Sequence, residues 1–343
     1  MRIRRRAPLL VGIAILIIAG TIAAVVRRES TIPSTAQCLD RPAKAMISLP
    51  RALSKQYKVD RPPDGHTYDA RRTISGAYPF EALYPISLGK DRPAERTCVL
   101  GGTVVGQQSR ELGWEEMKQS HDGSGLRLAA NTWSIVDGLR VANVEDGIDP
   151  RGTEGRFPKD GDGFVLRNAY FTYIRDDCVE NDDIAGGVIE DSLFDGCYTG
   201  ISENPSNDSQ QRKHRAPSGE TLTLQHVLLR LEAMPVPRGR EGGRGHGELF
   251  KWSSVGNRLV IRDSIFLVEA TPNGGSAHFP PGTKAENVTV VWLGTGPFPG
   301  RVPESVHITR DRSVWDRARA SWLTRHGCRS FDDCSNLLDP SEP

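Results

Sequence analysis

Three short segments carry the residues best suited to chemistry: IRDDCVEN (174–181), CYTGISEN (197–204) and HGELFKW (246–252). They contribute Asp176, Asp177, Glu180, Glu203, His246 and Lys251. A shift of 23 residues carries Glu180 onto Glu203 and Asn181 onto Asn204. In strands stacked about 4.8 Å apart, the two carboxylates on that line would approach each other. Ionised carboxylates so close repel unless they share a proton, hold a cation or meet a lysine. Lys251 falls on or beside the same line, with Asp182 and Asp183 nearby and His246 and Glu248 on the far side. Three chemistries compete for this set. A glycoside hydrolase needs one carboxylic acid and one carboxylate, which Asp177 with Glu180 or Glu203 would supply. A lyase acting on uronic acids needs a base, Lys251 or His246, with a calcium ion held by the acidic cluster. The third reading is a calcium site or binding groove without catalysis.

A repeat must position these residues. IVDGLRV (135–141), VLRNAYF (165–171), VIEDSLF (188–194), LQHVLL (224–229) and VIRDSIF (260–266) alternate apolar and polar residues around a central Gly, Asn, Asp or His. Alternation is the period of a half-buried strand. In the second and third copies the match runs on past the strand, carrying Ile174 to Cys197 and Cys178 to Ile201. Short repeats made of strands imply stacked coils, an all-β parallel β-helix. The register predicts one inward line through Ile148, Cys178 and Ile201 and another through Val141, Phe171 and Phe194. Each repeat strand is followed, after a bend, by a second one, so HGELFKW is expected to stack on CYTGISEN. Two Gly- and Pro-rich interruptions, 205–219 and 235–245, would leave the stack as loops bordering the acidic face. Near the end, Trp315, Ala318, Arg319 and Trp322 follow helical spacing, with Ser313 as N-cap. This helix is expected to cap the open C-terminal coil.

The string GFVLRNAYFTYIRDDCVEND (163–182) resembles the pectin-lyase-like right-handed β-helix superfamily, and Asp176-Asp177-Cys178 is similar to the polygalacturonase branch. The resemblance implies a right-handed coil in which the Asp pair supplies the general acid and helps to activate water. Asp146, in the sequence EDGI, would stand for the branch's aspartate one coil earlier. His246-Gly247 would stand for its His-Gly motif. The chain departs from the pattern after that: no Arg-x-Lys follows at a matching place, and Thr199-Gly200 fills the directly stacked coil.

Composition bounds the partners and the compartment. A net charge of +1 over 343 residues leaves no basic surplus for a nucleic acid. Arginines precede and close an apolar run from Ala7 to Val26, long enough to span a bilayer, with an inside N-terminus favoured by the charge difference. Residues 1–28 therefore read as a transmembrane anchor, or as a cleaved signal of a secreted protein, followed by a stalk over 29–63. The β-helix domain is expected over 64–312, and the capping helix and tail over 313–343. Six cysteines suit an oxidising space outside the cytoplasm. Cys328 with Cys334 is the most natural bridge; Cys178 and Cys197 read as bonded or as buried thiols, and Cys38 with Cys98 remains as a third pair. The expected protein is a membrane-anchored, extracytoplasmic β-helix that engages a polysaccharide, as a glycosidase or lyase, or as a non-catalytic envelope scaffold.

Overall fold

The repeat is the unit of packing. In the computed structural model, which describes residues 34–76, 84–89, 95–120, 123–129, 133–151, 163–205, 220–239, 243–254, 256–272 and 277–334, Ile135, Val165, Val188, Thr223 and Val260 lie in one parallel ladder. Six residues on, Val141, Phe171, Phe194, Leu229, Phe266 and Val290 form a second ladder. Each of those six is fully buried, and the Phe171 and Phe194 rings stack at 5.0 Å. Among the described residues the strands form one 21-stranded sheet, with parallel pairing throughout, and one small antiparallel pair. An all-β parallel sheet with such long-range layering is consistent with a β-helix.

Between the two ladders the chain turns a corner, and residue type explains where. Gly138, Asn168, Asp191, His226, Asp263 and Asn287 occupy this corner, all with φ between 39° and 79°. Only Gly, and less readily Asn, Asp and His, enter that left-handed region cheaply. The central polar residue of each repeat is thus a backbone requirement. Side chains also link the column across layers, as where Asn287 Nδ2 donates to Asp263 Oδ1 at 2.8 Å.

One irregularity redirects the site. Pairing between Tyr170–Glu180 and Leu193–Glu203 runs 23 apart up to Ile174↔Cys197, then shifts at a β-bulge so that Asp177 meets Thr199 and Glu180 meets Ser202. A slip of one residue turns every following side chain to the other face. The expected line through Ile148, Cys178 and Ile201 is corrected accordingly. All three are buried, but Val179 is the residue that pairs with both Ile148 and Ile201. Cys178 instead bonds to Cys197.

The other cysteines pair as Cys38–Cys98 and Cys328–Cys334. Three disulfides suggest an oxidising, extracytoplasmic environment. The expected anchor over 1–28 lies outside the described residues, and no helix among those described is long and apolar enough to cross a membrane. The stalk reading of 29–63 needs correction, because Met46–Ser48 and Tyr57–Val59 are already strands of the sheet.

The C-terminal helix, Arg312–Arg325, is capped by Asp311, whose carboxylate accepts from Ser313 N, so the N-cap lies two residues before the expected Ser313. It is also not an end cap. Trp315, Trp322 and Leu323 pack with Tyr170, Leu193, Leu228, Leu267 and Val291, which belong to several layers. The reason is an outward apolar column, Tyr170–Leu193–Leu228, that runs up the stack and needs cover. Arg319 Nε donates to the buried Asp195 at 2.6 Å and fixes the helix there. At the last layers the interior packs instead against the turn that follows Trp292, where Phe298 lies edge-on to the indole at 5.6 Å with Val302 beside the same core.

Candidate functional site

Two bends in neighbouring layers bring three aspartates together. Glu145, Asp146 and Gly147 connect strand Arg140–Val144 to strand Ile148–Arg151. Asp176 and Asp177 sit just past the bulge of the next layer. The bends are locked to each other by backbone: Asp176 N donates to Glu145 O at 2.8 Å and Gly147 N to Asp177 O at 3.1 Å. Gly147 has no room for a side chain, since a Cβ would lie 2.7 Å from the Phe171 ring and against Cys178 O. Asp177 N then donates to Asp146 Oδ1 at 3.1 Å, and Ser124 Oγ to Asp146 Oδ2 at 3.0 Å. One carboxylate oxygen from each of Asp146, Asp176 and Asp177 lies within 4.8 Å of the others.

Two lysines close on this cluster. Lys251 Nζ is 2.6 Å from Asp177 Oδ2. Lys118 Nζ is 2.5 Å from Asp176 Oδ2 and also pairs with Glu145. Burial alone would lower both ammonium groups. The surrounding carboxylates, chiefly Asp177 and Asp176 for Lys251 and Asp176 and Asp146 for Lys118, outweigh it and hold both above the usual lysine range. Asp177 is 2 % exposed. Burial, reinforced by Asp176 and opposed by Lys251, raises its carboxyl to about 7. Its second oxygen, Oδ1, is buried without a hydrogen-bond partner. Asp146 is raised well above the carboxylate range by burial and then by Asp176, Glu145 and Asp177.

Glu180 borders the cluster from the same strand. Burial, then Asp146, Asp149 and Asp177, raises it well above its ordinary range. Its neighbour Tyr84 has a single hydroxyl proton, directed to Asp149 Oδ2 at 2.7 Å, with Glu180 Oε2 3.4 Å away. The Tyr84 hydroxyl is thus shared unequally between the two carboxyls, the shorter contact being the one to Asp149.

Glu203 and His246 stand apart from this chemistry. Opposite Ser202 stands Lys251, and opposite Glu203 stands Trp252. Successive strand residues point to opposite faces, so Glu203 and Lys251 do not share a site, and one cleft lined by all six expected residues is not formed. Glu203 is instead fully buried. It accepts from Asn181 Nδ2 at 2.7 Å, Asn257 Nδ2 at 2.8 Å and Asn257 N at 2.6 Å. Burial pushes its carboxyl up to about 8 against those donors. His246 is buried, with Nε2 accepting from Ala270 N at 3.1 Å and Nδ1 facing Gly247 O at 2.9 Å. Burial lowers its pKa, so it is a neutral ring held by backbone.

Asp176, Asp177 and Lys251 are thus brought together, with Asp146 where the resemblance set it and Glu180 beside them. Lys118 was missed. It arrives on the helix Trp114–Ser120, which lies outside the repeat and leaves no periodic mark.

Charge decides what this arrangement can do. A lysine held above its usual range is no base at neutral pH, and His246 has no free nitrogen to offer. Lys118 and Lys251 offset part of the negative charge at Asp176 and Asp177, while one oxygen from each of the three aspartates still converges closely enough to hold a cation. A buried carboxylic acid next to further carboxyls also offers the type of pair that acid-assisted bond cleavage uses. The chain matches no known family model, no curated protein and no solved structure.

Proposed function

We propose that this chain is an extracytoplasmic, right-handed parallel β-helix of the pectin-lyase-like type, tethered through its N-terminal apolar segment, that hydrolyses glycosidic bonds in a polysaccharide. The observation that carries the reading is Asp177. Its carboxyl holds a proton up to about pH 7, with one oxygen on Lys251 and the other without a partner. Because Oδ1 is buried, a leaving glycosidic oxygen takes up that proton only where substrate displaces the cover over Asp177. Asp176 lies close enough to serve as the carboxylate that activates water or attacks the sugar. Lys118 and Lys251 keep this concentration of acidic groups tolerable.

A second reading, a non-catalytic polysaccharide-binding or scaffold protein of the cell envelope, is favoured by one fact: Asp176 and Asp177 are each already ion-paired to a lysine. The two readings separate in a reducing-end assay of the domain on a panel of neutral and acidic polysaccharides. Hydrolysis predicts new reducing ends that disappear in Asp177→Asn. Binding to a polysaccharide with no new ends at any pH from 4 to 8 would leave the scaffold reading in possession.

A further inference from the structure

A cationic, aromatic patch adjoins the carboxylate cluster and meets it at Lys118. Tyr173 carries the Arg110 guanidinium over its ring at 4.5 Å and that of Arg175 at 5.3 Å. Trp114 carries Arg238 at 4.9 Å and, towards the aspartates, Lys118 at 5.2 Å. Tyr198 joins the patch by accepting from Arg238 N at 3.0 Å. The charges that act most strongly on Tyr173 are Arg175, Glu232, Arg110 and Arg244, one carboxylate among three guanidinium groups. That carboxylate already leans to Arg230 at 3.4 Å. Among the described residues, neither Arg110 nor Arg175 forms an ion pair with a carboxylate.

A second, independent observation points to a ligand. Arg175 is 1 % exposed. Its terminal nitrogens donate to Tyr173 OH at 3.0 Å and to Leu112 O, while its Nε has no acceptor. Trp114 Nε1, in the same patch, is also buried without one. Buried donors are almost always satisfied, and two in one place ask for an acceptor. Arg110 and Arg238 are exposed and lie over the Tyr173 and Trp114 rings, within reach of a ligand from solvent. A chemical group that brings only acceptors and negative charge answers both the surplus of guanidinium and the unpaired N–H groups. Aromatic faces beside it suit a sugar ring, and the net charge of +1 argues against a polynucleotide.

We propose that Arg110, Arg175 and Arg238, held on Tyr173 and Trp114, form a subsite for an anionic group of a polysaccharide, a carboxylate or a sulfate ester. The inference rests on the polysaccharide reading above and deepens it, since Lys118 links the patch directly to Asp176. It does not depend on hydrolysis.

The test is binding, by calorimetry on the full exported domain, with hexasaccharides of galacturonic acid, sulfated galactan fragments and neutral galactan of equal length. The expected result is affinity for a charged chain roughly tenfold or more above the neutral one, falling with added salt. Binding of the carboxylated chain alone, the sulfated chain alone, or both identifies the group. The double variant Arg110→Gln/Arg238→Gln, at exposed positions, should lose that preference and most of the salt dependence. Arg175→Lys keeps the charge and discards the planar fork, and should weaken the charged chain if its melting temperature is preserved. Equal affinity for neutral and charged chains, no binding of either charged chain, tighter binding of a single-stranded oligonucleotide, or an unchanged double variant would overturn the subsite. Charged-chain binding without any cleavage would overturn only the hydrolase reading.

Discussion

Asn181 is the residue that meets Glu203 across the layers, with Nδ2 2.7 Å from the carboxylate. The repeat alone sets Glu180 there. The bulge between Ile174 and Asp177 moves the pairing by one, and this converts an apparent carboxylate stack into an amide–carboxylate contact. It also sends Glu180 to the acidic face beside Asp146 and Asp177. One inserted residue therefore separates a structural carboxyl from those that could do chemistry.

Replacing Glu203 with Gln tests that separation. Each carboxylate oxygen faces an N–H donor, so either orientation of the amide leaves its NH2 against another donor. The expected cost is about 1–3 kcal/mol of stability, read by urea unfolding, with polysaccharide cleavage unaffected in the folded fraction. Loss of cleavage at full stability would return Glu203 to the site.

Asp177→Asn removes the proton donor while keeping the shape. If Asp177 is the general acid, cleavage should fall by about 10²–10⁴, measured as initial rates of reducing-end release, with the far-ultraviolet circular dichroism unchanged.

The same residue predicts a pH dependence with a definite sign. Its folded carboxyl is raised from 3.8 to about 7, so the folded state holds a proton that the unfolded chain releases. This contribution to stability is complete below about pH 3.8 and is lost as pH rises towards about 7. Unfolding free energy of the parent should therefore decline, relative to Asp177→Asn, between these limits and run parallel above them. Cleavage should share the upper limb, falling above about pH 7.

Trp322 tests the lateral helix. Its ring packs edge-on to Tyr170 at 5.7 Å and its Nε1 donates to Asp191 O at 3.0 Å. Trp322→Ala should cost about 3–5 kcal/mol and expose the Tyr170–Leu193–Leu228 column, raising binding of a hydrophobic dye. An unchanged melting temperature would mean that the helix only rests on the sheet.

Legibility followed the physics of each feature. The central Asn168, Asp191, His226 and Asp263 were visible as a recurring polar position, but alternation alone made each repeat a single strand, and the left-handed corner at these residues emerged only from the structure. The ladder Val141–Phe171–Phe194 could be read because alternation with period two survives from layer to layer. Of the disulfides, Cys328–Cys334 was legible from its short spacing, whereas Cys178 and Cys197 could equally have been buried thiols and Cys38 with Cys98 was only the pair left over. The bulge could not be read, because an extra residue in a strand changes register without any distinctive side chain. Lys118 was invisible for a related reason: it enters from a helix outside the repeat. The helix Arg312–Arg325 was legible as a helix but not in its placement, since the outward column it covers becomes visible only when layers are aligned.

The unequal spacing of the ladders has a consequence for how such a protein changes over generations. Val165 to Val188 is 23 residues, Val188 to Thr223 is 35 and Thr223 to Val260 is 37, yet these residues pair in unbroken register. Each layer takes its position from the layer beneath and not from the length of chain that precedes it. Segments inserted at a corner are therefore nearly neutral for the stack, since lengthening a loop adds little closure entropy. New recognition surface can be tried there without renegotiating the interior, and whatever the inserted loops come to hold is presented by a framework that has not moved.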